Sequence, residues 1–468
     1  MAHLMISAAH KSSGKTTLSI GLCAALRAQG VRVQPFKKGP DYIDPLWLGA
    51  AAGRPCHNLD FYTQERAEIR EVFARHLQGA DLGLIEGNKG LYDGLDLDGS
   101  NSNAALATLL QAPVVLVLDT RGMTRGVAPL ILGYQAFDPA LRIAGVILNH
   151  VGGSRHEGKL RRVIEHYTDV RVLGALGHNP GLQIEERHLG LMPSNEAERS
   201  AELIARLGQA VGAAVDLGAV RELAAGAPPP AAAAPLPAAP EAGERIRIGY
   251  AYDEAFGFYY PGDLEALRAA GAELVPFDTL NDTALPAVDA LFIGGGFPET
   301  RMRLLEANAP MREAVAHFIE SGGPAYAECG GLMYLARSLT WNGEKCKMVG
   351  VVPADVVMHD RPQGRGYVRL RPNPGHPWPG MAPEVLPGHE FHYSGLEDLD
   401  SGVQFAYRVE RGHGIDGRHD GIIYKNLLAN YAHLRDTGRN RWAARFLAQV
   451  RACRVPRATG GTRPEQRG

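Results

Sequence analysis

The stretch Gly322-Gly323-Pro324-Ala325-Tyr326-Ala327-Glu328-Cys329-Gly330-Gly331-Leu332-Met333-Tyr334-Leu335-Ala336 places a lone thiol where the chain turns sharply from strand into helix. Gly322 to Ala327 reads as a turn and a short buried strand, and Leu332 to Ala336 as the apolar first turns of a helix. A thiol on such a turn is expected to be exposed, and the amide dipoles of the following helix favour its thiolate. The two glycines leave room for a tight backbone and for amides able to hold an oxyanion. Read this way, Cys329 is a nucleophile. The competing reading is a small buried core cysteine, and strand, bare turn and helix together disfavour it.

A thiol at its free pKa is mostly protonated, so a base is needed. Of the 17 histidines, the candidates are His433 in Asn430-Tyr431-Ala432-His433-Leu434 and its rivals His389 and His392 in Gly388-His389-Glu390-Phe391-His392-Tyr393-Ser394. Phe292-Ile293-Gly294-Gly295-Gly296-Phe297-Pro298-Glu299 is a strand ending in three glycines. Gly295 and Gly296 therefore suit a backbone oxyanion loop, and equally a passive tight turn.

Working outward, a chain of 468 residues exceeds one ordinary core, so two or three domains are expected. Hydrophobic content of 45% and charged content of 21% are those of a globular protein. A net charge of −2 offers nothing to nucleic acid, and no apolar run approaches a membrane span. Cys23, Cys56, Cys329, Cys346 and Cys453 are scattered without metal-type spacing, which argues against a disulfide framework and for a reducing compartment, by default the cytoplasm.

Residues 224–244, rich in alanine and proline, are expected to form an extended spacer without helix or strand. It separates a first domain, 1–223, from a second, 245–450, with a polar tail over 451–468. In the first, short apolar runs at Leu4–Ala8, Val31–Phe36, Leu82–Ile85, Val114–Leu118 and Ile143–Leu148 alternate with helical stretches such as Thr16–Gln29. That alternation predicts a parallel sheet covered on both faces. The pattern restarts at Ile246–Tyr250, so the second domain is predicted to be another α/β unit.

Ala9-His10-Lys11-Ser12-Ser13-Gly14-Lys15-Thr16, between the first strand and first helix, fits a phosphate loop with Ala9 replacing the usual leading glycine. Such a loop curls backbone amides, here including Ser13 and Gly14, around the β-phosphate. Lys15 then reaches the β/γ-oxygens, the Thr16 hydroxyl meets Mg²⁺, and Thr17 follows on the helix. ATP and Mg²⁺ are the implied co-substrate and cofactor. Acids gather where strands should end: Asp41 and Asp44 in Gly39-Pro40-Asp41-Tyr42-Ile43-Asp44-Pro45, Glu86 closing a buried run, and Asp93 in Gly90-Leu91-Tyr92-Asp93-Gly94. Carboxylates on such a rim are the oxygen ligands Mg²⁺ takes. Asn149, ending another run, reads either as an adenine contact or as a turn residue.

Five motifs in order, namely Gly14-Lys15-Thr16-Thr17, the Gly39–Pro45 segment, Gly90–Gly94, Glu328–Gly331 and Gly388–Tyr393, resemble those of the glutamine-dependent cobyrinate/hydrogenobyrinate a,c-diamide synthase family. The resemblance implies a dethiobiotin-synthetase-like P-loop domain joined to a class-I-like glutamine amidotransferase domain. It implies that ATP activates a tetrapyrrole carboxylate as an acyl phosphate, which ammonia from glutamine attacks. By the same resemblance Cys329 and His433 are the catalytic pair. Thr16, Asp41 and Glu86 hold metal, and Asp44 and Asp93 serve substrate activation. The partners are then small molecules only, and a homodimer is compatible with the pattern.

One departure stands out. Asn88-Lys89, and Gly94 to Asn103 after Asp93, look more like the relatives linked to dissimilatory sulfite reductase that amidate siroheme. This loop is expected to face the macrocycle, with Lys37, Lys38, Lys89 and Arg54 as partners for its spectator carboxylates. Two readings of other classes compete: a P-loop switch ATPase of the partition type, and a binding protein with an inert glutaminase half.

Overall fold

The computed structural model describes residues 1–182, 184, 186–187, 190–194, 200–231 and 245–454. These fall into two compact units: essentially the chain up to 231, and the chain from 245, with Phe258–Gly262 and Thr437–Arg439 grouping with the first.

The first unit is built on a seven-stranded sheet in the order His57–Leu59, Val33–Lys38, Leu82–Glu86, Ala2–Ala8, Val114–Asp119, Ile143–Val151, Arg171–Gly177. Every pairing in it is parallel. Parallel strands need crossover helices, and these cover both faces, which is why Val114 to Leu118 is an unbroken buried run. Two apolar clusters result. One holds Leu4, Ile6, Leu22, Val115 and Ile147, the other Met5, Ile85, Leu116 and Leu148. The central strands Ala2–Ala8 and Leu82–Glu86 end side by side, so their carboxyl ends form the rim where ligands of such sheets sit.

The second unit is an α/β unit, as expected, with a sheet that extends beyond its parallel part. Its nine-stranded sheet begins parallel, in the order Ala272–Phe277, Ile246–Ala251, Ala290–Ile293, Ala325–Glu328, Leu427–Asn430. It then continues antiparallel through His419–Tyr424, Gln404–Arg411, Gly364–Pro372 and Leu386–His392. A four-stranded sheet of Glu344–Lys347, Ala336–Trp341, Val352–Met358 and Ser394–Glu397 adds a further layer. The helix after Cys329 spans only Gly330–Leu335 before Ala336 opens that layer, so it is shorter than the apolar run suggests.

Helix Leu217–Ala225 runs two residues into the segment expected to be a spacer. Residues 226–231 carry neither helix nor strand, while 232–244 lie outside the described residues. Helix Trp442–Cys453 likewise passes the expected start of the tail at 451, and 455–468 lie outside the description. No helix among the described residues is long and apolar enough to cross a membrane.

Candidate active sites

In the first unit the loop between strand Ala2–Ala8 and helix Lys15–Ala28 turns through Ser12 (φ 64°) and Gly14 (φ 86°). Ala9 is not among the residues of positive φ, so alanine is sterically acceptable where a glycine was expected. Ser13 Oγ donates to the His10 carbonyl at 2.8 Å, and Asn149 Nδ2 donates to the Ser13 carbonyl at 2.9 Å. A Cβ at Gly14 would overlap that amide, so glycine is needed here for both space and backbone angle. Asn149 thus braces the loop from strand Ile143–Val151.

Thr16, on the first turn of the helix, donates its hydroxyl to Glu86 Oε1 at 2.8 Å and to Asp44 Oδ2 at 3.3 Å. Asp44, rather than Asp41, is therefore the acid from that motif that meets Thr16 and Glu86. Asp41 Oδ1 instead accepts from the amides of Ile43 and Asp44, at 3.0 and 3.2 Å, and fixes the start of helix Ile43–Ala52. Asp93 Oδ2 accepts from Gly90 N at 2.8 Å, closing its own turn, and its charge is felt by Lys15. Burial lowers the pKa of the Lys15 ammonium, partly offset by Glu86. Thr17 sits half-buried on the helix beside it.

Lys37 departs from its expected place. Instead of reaching a ligand's carboxylates it is buried, with Nζ 2.8 Å from Glu86, 3.6 Å from Asp41 and hydrogen-bonded to Asp44. Burial works against its charge, yet Asp44, Glu86 and Asp41 raise its pKa well above the ordinary lysine value. Arg54 is also committed, donating Nε to Gln34 Oε1 at 2.9 Å. Lys38 donates to Asn88 Oδ1 at 3.2 Å, and burial lowers its pKa to about 8.

In the second unit strand Ala325–Glu328 pairs in parallel with Leu427–Asn430, Glu328 opposite Asn430. Both strands end together, which brings the turn at Cys329 beside the loop 431–434. Cys329 N donates to the Asn430 carbonyl at 2.7 Å. Cys329 has φ 48° and ψ −103°, a left-handed conformation rare for a residue with a Cβ. The thiol is not exposed as expected, the residue being 7% accessible. A six-residue helix supplies little dipole, and the charge partner is instead an imidazole: His433 hydrogen-bonds Cys329. Its Nδ1 lies 3.2 Å from Glu328 Oε2. Burial opposes the imidazolium, but the hydrogen bonds to Cys329 and Glu328 raise its pKa to about 10.

The rivals take other parts. His389 exchanges backbone hydrogen bonds with His433, at 3.2 and 2.7 Å, and burial lowers its own pKa to about 3. His392 stacks on Tyr431 with ring centroids 4.0 Å apart. The glycine loop is close, as an oxyanion loop must be: a Cβ at Gly330 would lie 3.0 Å from Gly296 N, and one at Gly331 would overlap the Ile293 carbonyl. Gly295–Gly296 forms a short strand paired with Phe256–Phe258. The residues that sequence reasoning missed are Lys37 as an internal cation and Glu328 as the partner of His433. Glu328 stood within the thiol motif, but nothing local to it signals the contact.

A phosphate loop on a parallel sheet and a Cys–His pair on a second unit define a glutamine-dependent ligase, with nucleotide-binding and amidotransferase parts in one chain. Residues 4–191 match the CobQ/CobB/MinD/ParA nucleotide binding domain, and residues 247–440 the CobB/CobQ-like glutamine amidotransferase domain. The chain is 48% identical to the cobyrinate a,c-diamide synthase of Magnetococcus marinus, over 95% of this chain and 96% of that one. It is 39% identical to that of Methanosarcina acetivorans over 97% of each, and 41% identical to that of Archaeoglobus fulgidus over 96% and 97%. The chain belongs to the cobyrinate a,c-diamide synthase family.

Proposed function

We propose that the chain converts the a and c acetate carboxylates of cobyrinate to amides, consuming ATP and glutamine. The observation that carries this reading is the coexistence in one chain of a thiol hydrogen-bonded to an imidazole and a phosphate loop faced by Asp44 and Glu86. Cys329 Sγ, its proton already held by His433, attacks the glutamine carboxamide carbon. His433 then protonates the departing nitrogen, ammonia leaves, and water hydrolyses the thioester to glutamate. The amides around Gly295, Gly296 and Gly330 are the donors for the oxyanion. In the first unit a substrate carboxylate oxygen attacks the γ-phosphorus of ATP and ADP departs. Ammonia then attacks the acyl carbon and phosphate leaves.

A magnesium ion fits the donor set. Thr16, Asp44 and Glu86 offer oxygen atoms only, and Glu86 Oε2 is buried without a hydrogen-bond partner. Bound there, it would neutralise phosphate charge. Lys15 would meet the β/γ-oxygens, with Asp93 alongside to orient the attacking carboxylate.

The seat we propose for the macrocycle is a cavity of about 570 Å³ in the first unit, lined by Arg66, Arg70, Tyr92, Leu97 and Phe137. Leu97 is fully exposed and Phe137 is 75% exposed, an apolar rim of the kind a flat ring covers. The acids in its wall are tied into their own turns, Asp98 by Ser100 N at 3.0 Å and Asp138 by Ala140 N at 3.1 Å. Arg66 Nη2 donates to the Ser100 carbonyl at 2.9 Å and Arg70 Nε to the Leu109 carbonyl at 3.4 Å, and their other N–H groups are the donors proposed for the carboxylates.

The test is amidation by the purified chain, followed by mass spectrometry, with cobyrinate, hydrogenobyrinate and siroheme as parallel substrates. Cys329→Ala is expected to lose glutamine-driven but keep ammonia-driven diamide formation. Amidation of siroheme alone would move the reading to the sulfite-reductase-linked relatives. ATP hydrolysis indifferent to every macrocycle and to glutamine would move it to a switch ATPase.

A further inference from the structure

We infer that Glu328 is a positioning residue for glutamine hydrolysis, completing a Cys329–His433–Glu328 triad whose third member directly precedes the nucleophile. This rests on the roles proposed for Cys329 and His433.

Glu328 ends strand Ala325–Glu328 with its side chain only 3% exposed. Both carboxylate oxygens are turned to the loop that carries the imidazole. Oε2 lies 3.2 Å from His433 Nδ1, and Oε1 accepts from Leu434 N at 2.8 Å and from the Tyr326 hydroxyl. Tyr326 OH is in turn met by Asn430 Nδ2 at 3.3 Å. A buried carboxylate anchored by a backbone amide and a phenol holds its remaining oxygen in one direction, here toward the ring nitrogen.

Adjacent residues of a strand point to opposite faces, so Glu328 and Cys329 would ordinarily diverge. The left-handed φ of 48° at Cys329 breaks that alternation and lets both side chains converge on one imidazole. This gives the strained conformation a structural purpose. The other buried acids nearby serve backbone amides. Asp263 accepts from Asp436 N at 2.7 Å, Asp420 from Tyr431 N and Ala432 N, both at 2.9 Å, and Glu390 from His413 N at 2.7 Å and Gly414 N at 2.8 Å.

A carboxylate at Nδ1 holds a proton on that nitrogen and favours the charged ring, whose Nε2–H then faces the sulfur. The Cys329 proton thus rests on Nε2 before attack; the thiolate forms the Sγ–C bond, and Nε2 gives the proton to nitrogen as the C–N bond breaks. The Glu328 carboxylate balances the imidazolium.

Glu328→Gln separates this role from a structural one. The glutamine carbonyl can still accept from Leu434 N and Tyr326. Its NH₂, however, would donate to Nδ1 and force the proton onto Nε2, facing the sulfur. The expected result is a fall in kcat for glutamine of at least about 100-fold with KM for glutamine within threefold. The residual rate should climb with pH, because hydroxide must then make the thiolate, and ammonia-driven synthesis should persist. A kcat within threefold of the parent with the same pH profile overturns the inference. Should Glu328→Gln not fold, ¹⁵N-histidine NMR of the unaltered chain decides. The expected signal is a deshielded Nδ1–H absent from His433→Ala, and a neutral Nε2–H tautomer at His433 overturns the inference. Glutamine-driven synthesis surviving in Cys329→Ala would instead defeat the underlying reading, so the two failures are distinct.

Discussion

Replacing Lys37 with methionine is expected to loosen the phosphate-loop unit before it affects anything else. The side chain is 3% exposed and its Nζ stands among three carboxylates, 2.8 Å from a Glu86 that is itself fully buried. At 2.8 Å and an effective dielectric constant of about 20, that one attraction is worth roughly 6 kcal/mol gross. Taking the ammonium out of water costs several kcal/mol in return, and Asp44 and Asp41 add to the attraction. Methionine keeps the length and apolar stem but leaves Asp44 and Glu86 without their shared cation, a loss of about 3–5 kcal/mol. Hydrogen exchange read by mass spectrometry, on peptides covering Val33–Lys38 and Leu82–Glu86, gives the local opening free energy without assuming that both units unfold together. Protection there should fall by about two to three and a half powers of ten, while Ala325–Glu328 in the second unit serves as internal control. Added Mg²⁺ should recover part of the loss, because a second cation meets the same oxygens. Unchanged protection in both strands would show that Lys37 does not hold them together.

Three further outcomes follow from the geometry. Gly331→Ala puts a Cβ on the Ile293 carbonyl, so the turn must part from the glycine loop. Glutamine hydrolysis should drop by about 100-fold or more while ammonia-driven synthesis survives, measured as glutamate release against diamide formation. Arg66→Ala and Arg70→Ala should each raise KM for the macrocycle roughly tenfold with kcat for glutamine hydrolysis unchanged, and equal KM values would remove the proposed seat. His433 carries a pKa raised from 6.5 to about 10, so its charge contributes stability that is complete below 6.5 and lost as pH rises through 10. The stability gap between the parent and His433→Asn should accordingly shrink over that interval in urea titrations, and a gap constant with pH would contradict the assignment.

Much of the first unit was legible because parallel strands covered on both faces must be apolar throughout, as Val114 to Leu118 is. The same rule explains the misplacement of Lys37: a lysine at the end of such a strand is enclosed, and it then needs the acids that the neighbouring strand and helix bring. The choice between Asp41 and Asp44 turned on where helix Ile43–Ala52 begins, a difference of less than one turn that spacing alone does not resolve. The antiparallel half of the second unit was missed because spatial order there departs from sequence order, Gln404–Arg411 lying against Gly364–Pro372 rather than Leu386–His392. Glu328 stayed hidden for a related reason. Its contact with His433 exists only through the register that sets Glu328 opposite Asn430.

Nitrogen freed at a sulfur must reach a carboxylate primed by phosphate. Glutamine labelled with ¹⁵N in its amide, supplied with ATP and cobyrinate, tests this in one product spectrum. Two labelled nitrogens per macrocycle from the parent chain, and none from Cys329→Ala unless labelled ammonia is added, is the expected result. Labelled product from Cys329→Ala with glutamine alone, or unlabelled diamide from the parent, would contradict it.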